Sequence, residues 1–178
     1  FHPKIDYDKR KKSTLTRWNI RPLIEVTQSK ENKLTTPLLA GFFEGDGGFK
    51  EGLAVHKRSK QGFQICPTLN FSQKEKSLLE NIQFYLENYL NIKTYKKIYE
   101  KNKIHELRIV QTDSVKRFIE IFIPYLIGNK YKQAQLLYKL ILWKENGGLS
   151  TKYGFLKAMK IADQISILKK SSTPRKYD

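Results

Sequence analysis

Two acids, Glu44 and Asp46, close the apolar run "LLAGFFEGDGGF" over residues 38–49, and they are the residues best placed to do chemistry. The run reads as helix, yet it holds Gly41 and Gly45, one turn apart. A glycine in a helix interior costs about 1 kcal/mol relative to alanine. A carboxylate at a helix C-terminus faces the negative end of the dipole. One arrangement makes both features useful. Gly41 and Gly45 form a flat notch that lets another helix approach closely. If that helix comes from a second copy of the chain, two Asp46 carboxylates meet at two helix ends. Divalent cations neutralise such a cluster, and oxygen-rich sites with open positions suit Mg²⁺. Paired sites beside a phosphate backbone suit phosphodiester hydrolysis, where metal activates water and stabilises the leaving oxygen.

Several elements must position these acids. Thr36 is a candidate cap and Pro37 suits the first helical position, so a helix is expected from there to Asp46. Gly47 and Gly48 can take the left-handed conformation beyond it. Two strands follow. Phe49, Leu53 and Val55 share one parity, and Lys50, Gly52, Ala54, His56 and Arg58 the other. After a turn at 59–62, Phe63, Ile65, Leu69 and Phe71 alternate with Gln64, Cys66, Thr68, Asn70 and Ser72. This is the pattern of a half-exposed antiparallel sheet. Pro67 falls on the apolar parity and implies an edge or a bulge. A capping box from Ser72 to Glu75 opens a second helix. A second hairpin is expected from 92–99 and 104–110, turning at "EKNK". Further helices are expected from about Asp113 to Pro124, from about Lys130 to Asn146 and over about 151–169. The order is α-β-β-α-β-β-α-α-α.

The chain has 178 residues, is 39% hydrophobic and 12% aromatic, and is long enough for one domain with a real core. Its formal net charge of +17 points to a polyanion, with nucleic acid first and an anionic membrane surface second. No apolar run reaches the roughly 18 residues of a membrane span, and no N-terminal segment has the order of a secretory signal. Cys66 is the only cysteine, so no intrachain disulfide forms, and it has no Cys or His pattern beside it that would suit zinc. The abundance of Lys, Asn, Ile, Tyr and Phe matches AT-rich codons and an origin in a mitochondrion or chloroplast.

The segment "LAGFFEGDGG" resembles the LAGLIDADG signature of homing endonucleases. Leu39, Ala40, Gly41, Asp46 and Gly47 are identical to it, and Phe42, Phe43, Glu44 and Gly45 are conservative. The resemblance covers about residues 36–168 and is strongest to the single-motif, homodimeric type encoded in group I introns. It implies a mixed α/β fold with an αββαββα core, an extra C-terminal helix and a saddle of antiparallel strands on DNA. It implies a metal-dependent endonuclease that cuts both strands of a long pseudo-palindromic site and leaves 3′ overhangs. By this resemblance Asp46 binds Mg²⁺ or another divalent cation such as Mn²⁺, the carbonyl of Gly45 also faces metal, and Glu44 makes a structural contact at the helix end. "NFSQKE" is similar to the segment that brings a Gln near the scissile phosphate, which is Gln73. "GNKYKQAQLL" is similar to the segment that supplies a basic residue, which is Lys130. Ser77 stands where the family often has a second basic residue, with Lys74 or Lys76 as substitutes.

The DNA reading has its own physical basis. A twisted antiparallel ribbon fits the major groove, where each base pair shows a distinct donor and acceptor pattern. Lys50, His56, Arg58, Gln64, Thr68, Asn70 and Ser72 share the outward parity of the first two strands, and Glu106 and Arg108 that of the second hairpin. His105 lies on the apolar parity and reads as a core histidine. Residues 1–34 form a basic N-terminal arm, 35–169 the catalytic domain and 170–178 a tail. The rival readings on the same fold are an intron RNA maturase and a catalytically inactive DNA-binding protein.

Overall fold

The computed structural model describes residues 34–55 and 62–169, and what is expected of the arm up to residue 33, of the tail, and of His56 and Arg58 lies outside them. Helix α1 spans Thr36–Asp46 and runs directly into strand β1, Gly47–Lys50. Strands β2 (Leu53–Val55), β3 (Phe63–Ile65) and β4 (Thr68–Gln73) lead to helix α2 (Lys76–Asn88). Strands β5 (Tyr99–Lys101) and β6 (Ile104–Ile109) then precede α3 (Thr112–Phe122), a 3-10 turn at Ile123–Tyr125, α4 (Gly128–Glu145) and α5 (Lys152–Leu168). The helices and the second hairpin follow in the expected order, but four short strands stand between α1 and α2 where two were expected.

The strands form a four-stranded antiparallel sheet in the order β1-β4-β6-β5, and β2 with β3 forms a separate two-stranded ribbon. The first hairpin is therefore broken in both arms, at Gly52 and at Cys66–Pro67. Gly52 has φ of +46°, and a side chain there would strike the Cys66 carbonyl. The Cys66 amide donates to the Gly52 carbonyl at 2.7 Å, so the two breaks are tied together.

Five phenylalanines build the centre of the core. Phe43 of α1 meets Phe49, Phe71 and Phe118 at ring separations of 4.9, 5.1 and 5.0 Å, and Phe118 stacks on Phe122 at 4.0 Å. All five are fully buried. The motif helix is thus pinned to the inner face of the sheet by its own aromatic residue.

Local details correct four expectations. The α1 cap is Thr35, whose hydroxyl accepts from the Leu38 amide, while the Thr36 hydroxyl lies 3.1 Å from that of Tyr85. Gly47 has φ of −90°, an ordinary extended value. Its lack of a side chain matters because a Cβ would run into the Phe43 ring. Helix α2 starts at Lys76 with no side-chain cap, because Ser72 and Gln73 are held in β4 opposite Glu106 and His105. The ladder claims the residues that the capping box needed. The strand expected over 92–99 is displaced to β5, which shares only Tyr99 with it, although the Tyr95 amide still donates to the Arg108 carbonyl at 2.7 Å. Asn102 and Lys103 turn this hairpin with φ of 53° and 62°, the primed geometry that suits a two-residue loop.

Candidate active site

The site is built on the junction of α1 and β1. Antiparallel pairing sets Gly47 opposite Phe71, so the residue before one and the residues after the other come together. Gln73 Nε2 donates to Asp46 Oδ2 at 3.4 Å, and its Oε1 accepts from the Lys74 amide at 2.8 Å. Asp46 is exposed at the last position of α1. Lys130, in the first turn of α4, donates its ammonium to the Gly47 carbonyl and lies 5.1 Å from the Phe43 ring centre. Burial lowers the Lys130 pKa below the usual lysine value; Glu44 opposes this shift and Lys169 adds to it. Glu44 Oε1 accepts from the Ile127 amide at 2.8 Å. That places an acid at the positive end of α4, and the contact fixes the approach of Lys130.

Three expected catalytic residues, Asp46, Gln73 and Lys130, therefore converge on one junction although 84 positions separate the first from the last (130 − 46). The substitutes for a basic residue at Ser77 bring no side-chain ammonium to them among the described contacts, Lys74 meeting Gln73 only through its backbone amide. Lys76 pairs with Glu80 at 2.8 Å, and Lys74 is exposed. A groove of about 660 Å³ beside β1 is lined by Glu44, Lys50, Lys130 and Lys169, among others. Lys169 carried no sequence signal, since it ends the last helix and is brought in only by packing. Glu51 holds its ammonium, and Ser166 donates to the same carboxylate at 2.7 Å.

The outer face of the sheet carries part of the expected polar set. Lys50 pairs with Thr68, Asn70 with both Gly48 and Arg108, and Ser72 with Glu106. Gln64 lies on β3, opposite Ala54. Asn70 departs from the expectation of an outward side chain, being only 8% exposed. Gly48 has no side chain to fill that space, and the Asn70 amide settles over it, with Oδ1 3.1 Å from where a Cβ would stand. Its Nδ2 donates to Ser72 at 3.0 Å, while Oδ1 has no partner among the described residues.

Helix α1 is apolar on two sides. Leu39, Ala40 and Phe43 face the core, whereas Leu38 is 59% exposed and Gly41 and Gly45 are exposed. A Cβ built on Gly41 or Gly45 meets nothing within 4 Å. Alanine would fit at both positions in the single chain.

The family model for LAGLIDADG endonucleases matches residues 39–141, which span α1 through most of α4. The chain belongs to the LAGLIDADG endonuclease family. Solved homing endonucleases share its fold. I-TnaI superposes with a TM-score of 0.65 at 22% identity, covering 76% of this chain and 94% of that one. I-CvuI, solved with a target DNA and magnesium, gives 0.64 at 22% identity over 79% and 84%. The meganuclease I-SmaMI, bound to DNA, gives 0.65 at 24% identity, covering 74% of this chain but 45% of that one. No curated protein sequence matches the chain. Among the described residues of this LAGLIDADG chain, no helix is long and apolar enough to cross a membrane.

Proposed function

We propose that this LAGLIDADG protein is a site-specific double-strand DNA endonuclease that works as a homodimer with divalent metal. The convergence of Asp46, Gln73 and Lys130 on the end of a helix whose glycine face is uncovered carries the reading. The polar sheet face and the charge of +17 suit duplex DNA. A long pseudo-palindromic target and 3′ overhangs are what the resemblance to the single-motif type implies. Residue usage supports an organelle genome as the source, the resemblance implies a group I intron, and the basic residues of 1–34 would add phosphate contacts.

The donor set fits a hydrated Mg²⁺ ion. Asp46 offers an exposed carboxylate, and Gly45 is among the last residues of α1, where helix carbonyls lack intrahelical partners. Among the described residues no three acidic, His or Cys side chains cluster as a complete metal cage. Mg²⁺ keeps several waters and takes one or two carboxylates plus phosphate oxygens, so a single Asp46 per chain suffices. Metal there would supply Lewis-acid stabilisation and a more acidic water. Gln73 orients the Asp46 carboxylate and a water beside it. Lys130 places positive charge where a phosphate would gain negative charge. The second copy supplies the second Asp46. I-SmaMI matches this chain over less than half of its own length, as one half of a paired arrangement would.

The test is cleavage of a randomised duplex library with Mg²⁺, with Asp46→Asn in parallel. Discrete cuts at one long, two-fold symmetric sequence, absent in the variant, support the enzyme. Metal-independent enrichment of bound duplex without cuts would make it a binding protein on an endonuclease fold.

A further inference from the structure

An acid in the middle of a DNA-facing surface needs a reason, because phosphate and base acceptors both repel it. Glu106 stands there on β6, its side chain 18% exposed, on the same face as Lys50, Thr68, Asn70, Ser72 and Arg108. Both of its oxygens are taken. Oε1 accepts from the Lys50 ammonium at 2.9 Å. Oε2 accepts from Arg108 Nε at 2.9 Å and also from Arg108 Nη2. Burial alone would raise the Glu106 pKa, but these bonds from Arg108 and Lys50 hold it below the ordinary glutamate value. The Arg108 guanidinium is fixed on its face as well, 4.5 Å from the ring centre of Tyr99, which pairs directly with Glu106 across β5 and β6. Tyr99 in turn stacks on Tyr95 at 5.3 Å.

We propose that Glu106 is a positioning residue that presents Arg108 as a reader of guanine at one base pair in each half of the target. The inference rests on the DNA-endonuclease reading and deepens it. A guanidinium has two usable edges. One edge of Arg108 is occupied by the carboxylate and its face by Tyr99. The side chain is still 42% exposed, and the other edge is the one left to meet DNA. Two parallel donors match the O6 and N7 acceptors of guanine. Three of the about four lone-pair directions of the Glu106 carboxylate are taken by the two cations, which turns it toward Lys50 and Arg108 and away from reading a base itself. Lys50 reaches it from β1 across β4 and locks the carboxylate from the far side.

The test uses the intact protein and the target sequence recovered from the duplex library. Every position of that target is varied singly, and relative cleavage is measured for the native protein, Glu106→Gln, Arg108→Ala and the double variant, with thermal melts confirming that each folds. The native protein should require G·C at one pair of two-fold related positions. Glu106→Gln should weaken that preference roughly tenfold or more, at those positions alone. In the Arg108→Ala background it should change nothing further, because Glu106 acts through Arg108. A uniform loss at all positions would overturn the inference in favour of a structural role. A further change of preference in the Arg108→Ala background would overturn it in favour of direct base reading by Glu106. Failure to recover any bound or cleaved duplex would instead defeat the endonuclease reading on which it stands.

Discussion

Asp46 and Lys130 show how much of the site rests on single groups. Asp46 is exposed and touches only Gln73 among the described side chains, so its removal should leave the fold alone. We expect Asp46→Asn to melt within ~0.5 kcal/mol of the native protein while losing cleavage, measured by single-turnover assays beside binding assays without metal. Lys130 is held half-buried against Phe43 and the Gly47 carbonyl, with a pKa lowered chiefly by burial. An amine is charged below its pKa, so its charge is lost as pH rises through that lowered value. Cleavage should therefore fall on the alkaline side earlier than an ordinary lysine, with pKa about 10.4, would dictate. Lys130→Arg should push that limb upward in a pH–rate profile. A limb unmoved by the substitution would remove Lys130 from the chemistry.

At the scale of elements, α1 carries opposite demands on its two sides. Its inner side is intolerant. Gly47 abuts the Phe43 ring, so Gly47→Ala should destabilise by about 1–3 kcal/mol through overpacking, and Phe43→Ala by about 3–5 kcal/mol through an emptied core. Denaturant midpoints check both. Its outer side is open at Gly41 and Gly45, where alanine would fit and would raise helix propensity. Two glycines that a lone chain does not need support the proposed close approach of a second copy. This notch was legible in the sequence, as were the helix register, the strand parities and the meeting of Asp46, Gln73 and Lys130. Register and parity follow from periodicity, and the notch from a motif whose residues lie close in the chain, whereas Gln73 and Lys130 were joined to Asp46 only by what the resemblance to the family implies. The α2 start was not legible, because Ser72 and Gln73 satisfy a capping pattern and a strand ladder equally well, and β6 decides between them. The burial of Asn70 was not legible either, since it depends on the bare backbone of Gly48 on a neighbouring strand. Lys169 enters the groove by packing alone.

For the whole molecule, charge sets the behaviour in solution. An excess of 17 positive charges should make DNA binding fall steeply with salt, and the slope of log K against log salt counts the phosphates engaged. Glu51 and Glu106 are both held below the ordinary glutamate pKa: burial alone would raise each, but hydrogen bonds from Lys169 and Ser166, and from Arg108 and Lys50, more than offset it. A carboxylate with a lowered folded pKa stabilises the fold above its unfolded value of about 4.3, and that contribution disappears as pH falls through the folded value. Melting temperature should therefore drop below about pH 4.3, and Glu51→Gln should flatten that drop. The central claim is that one chain is half of a centre, with α1 as the shared wall. Sedimentation velocity at micromolar concentration, on the native protein and on Gly45→Leu, tests it most directly. The native protein should sediment at twice the 21.0 kDa chain mass, and the variant as a folded single chain. A native protein that sediments as a single chain, with and without its DNA target, would contradict it.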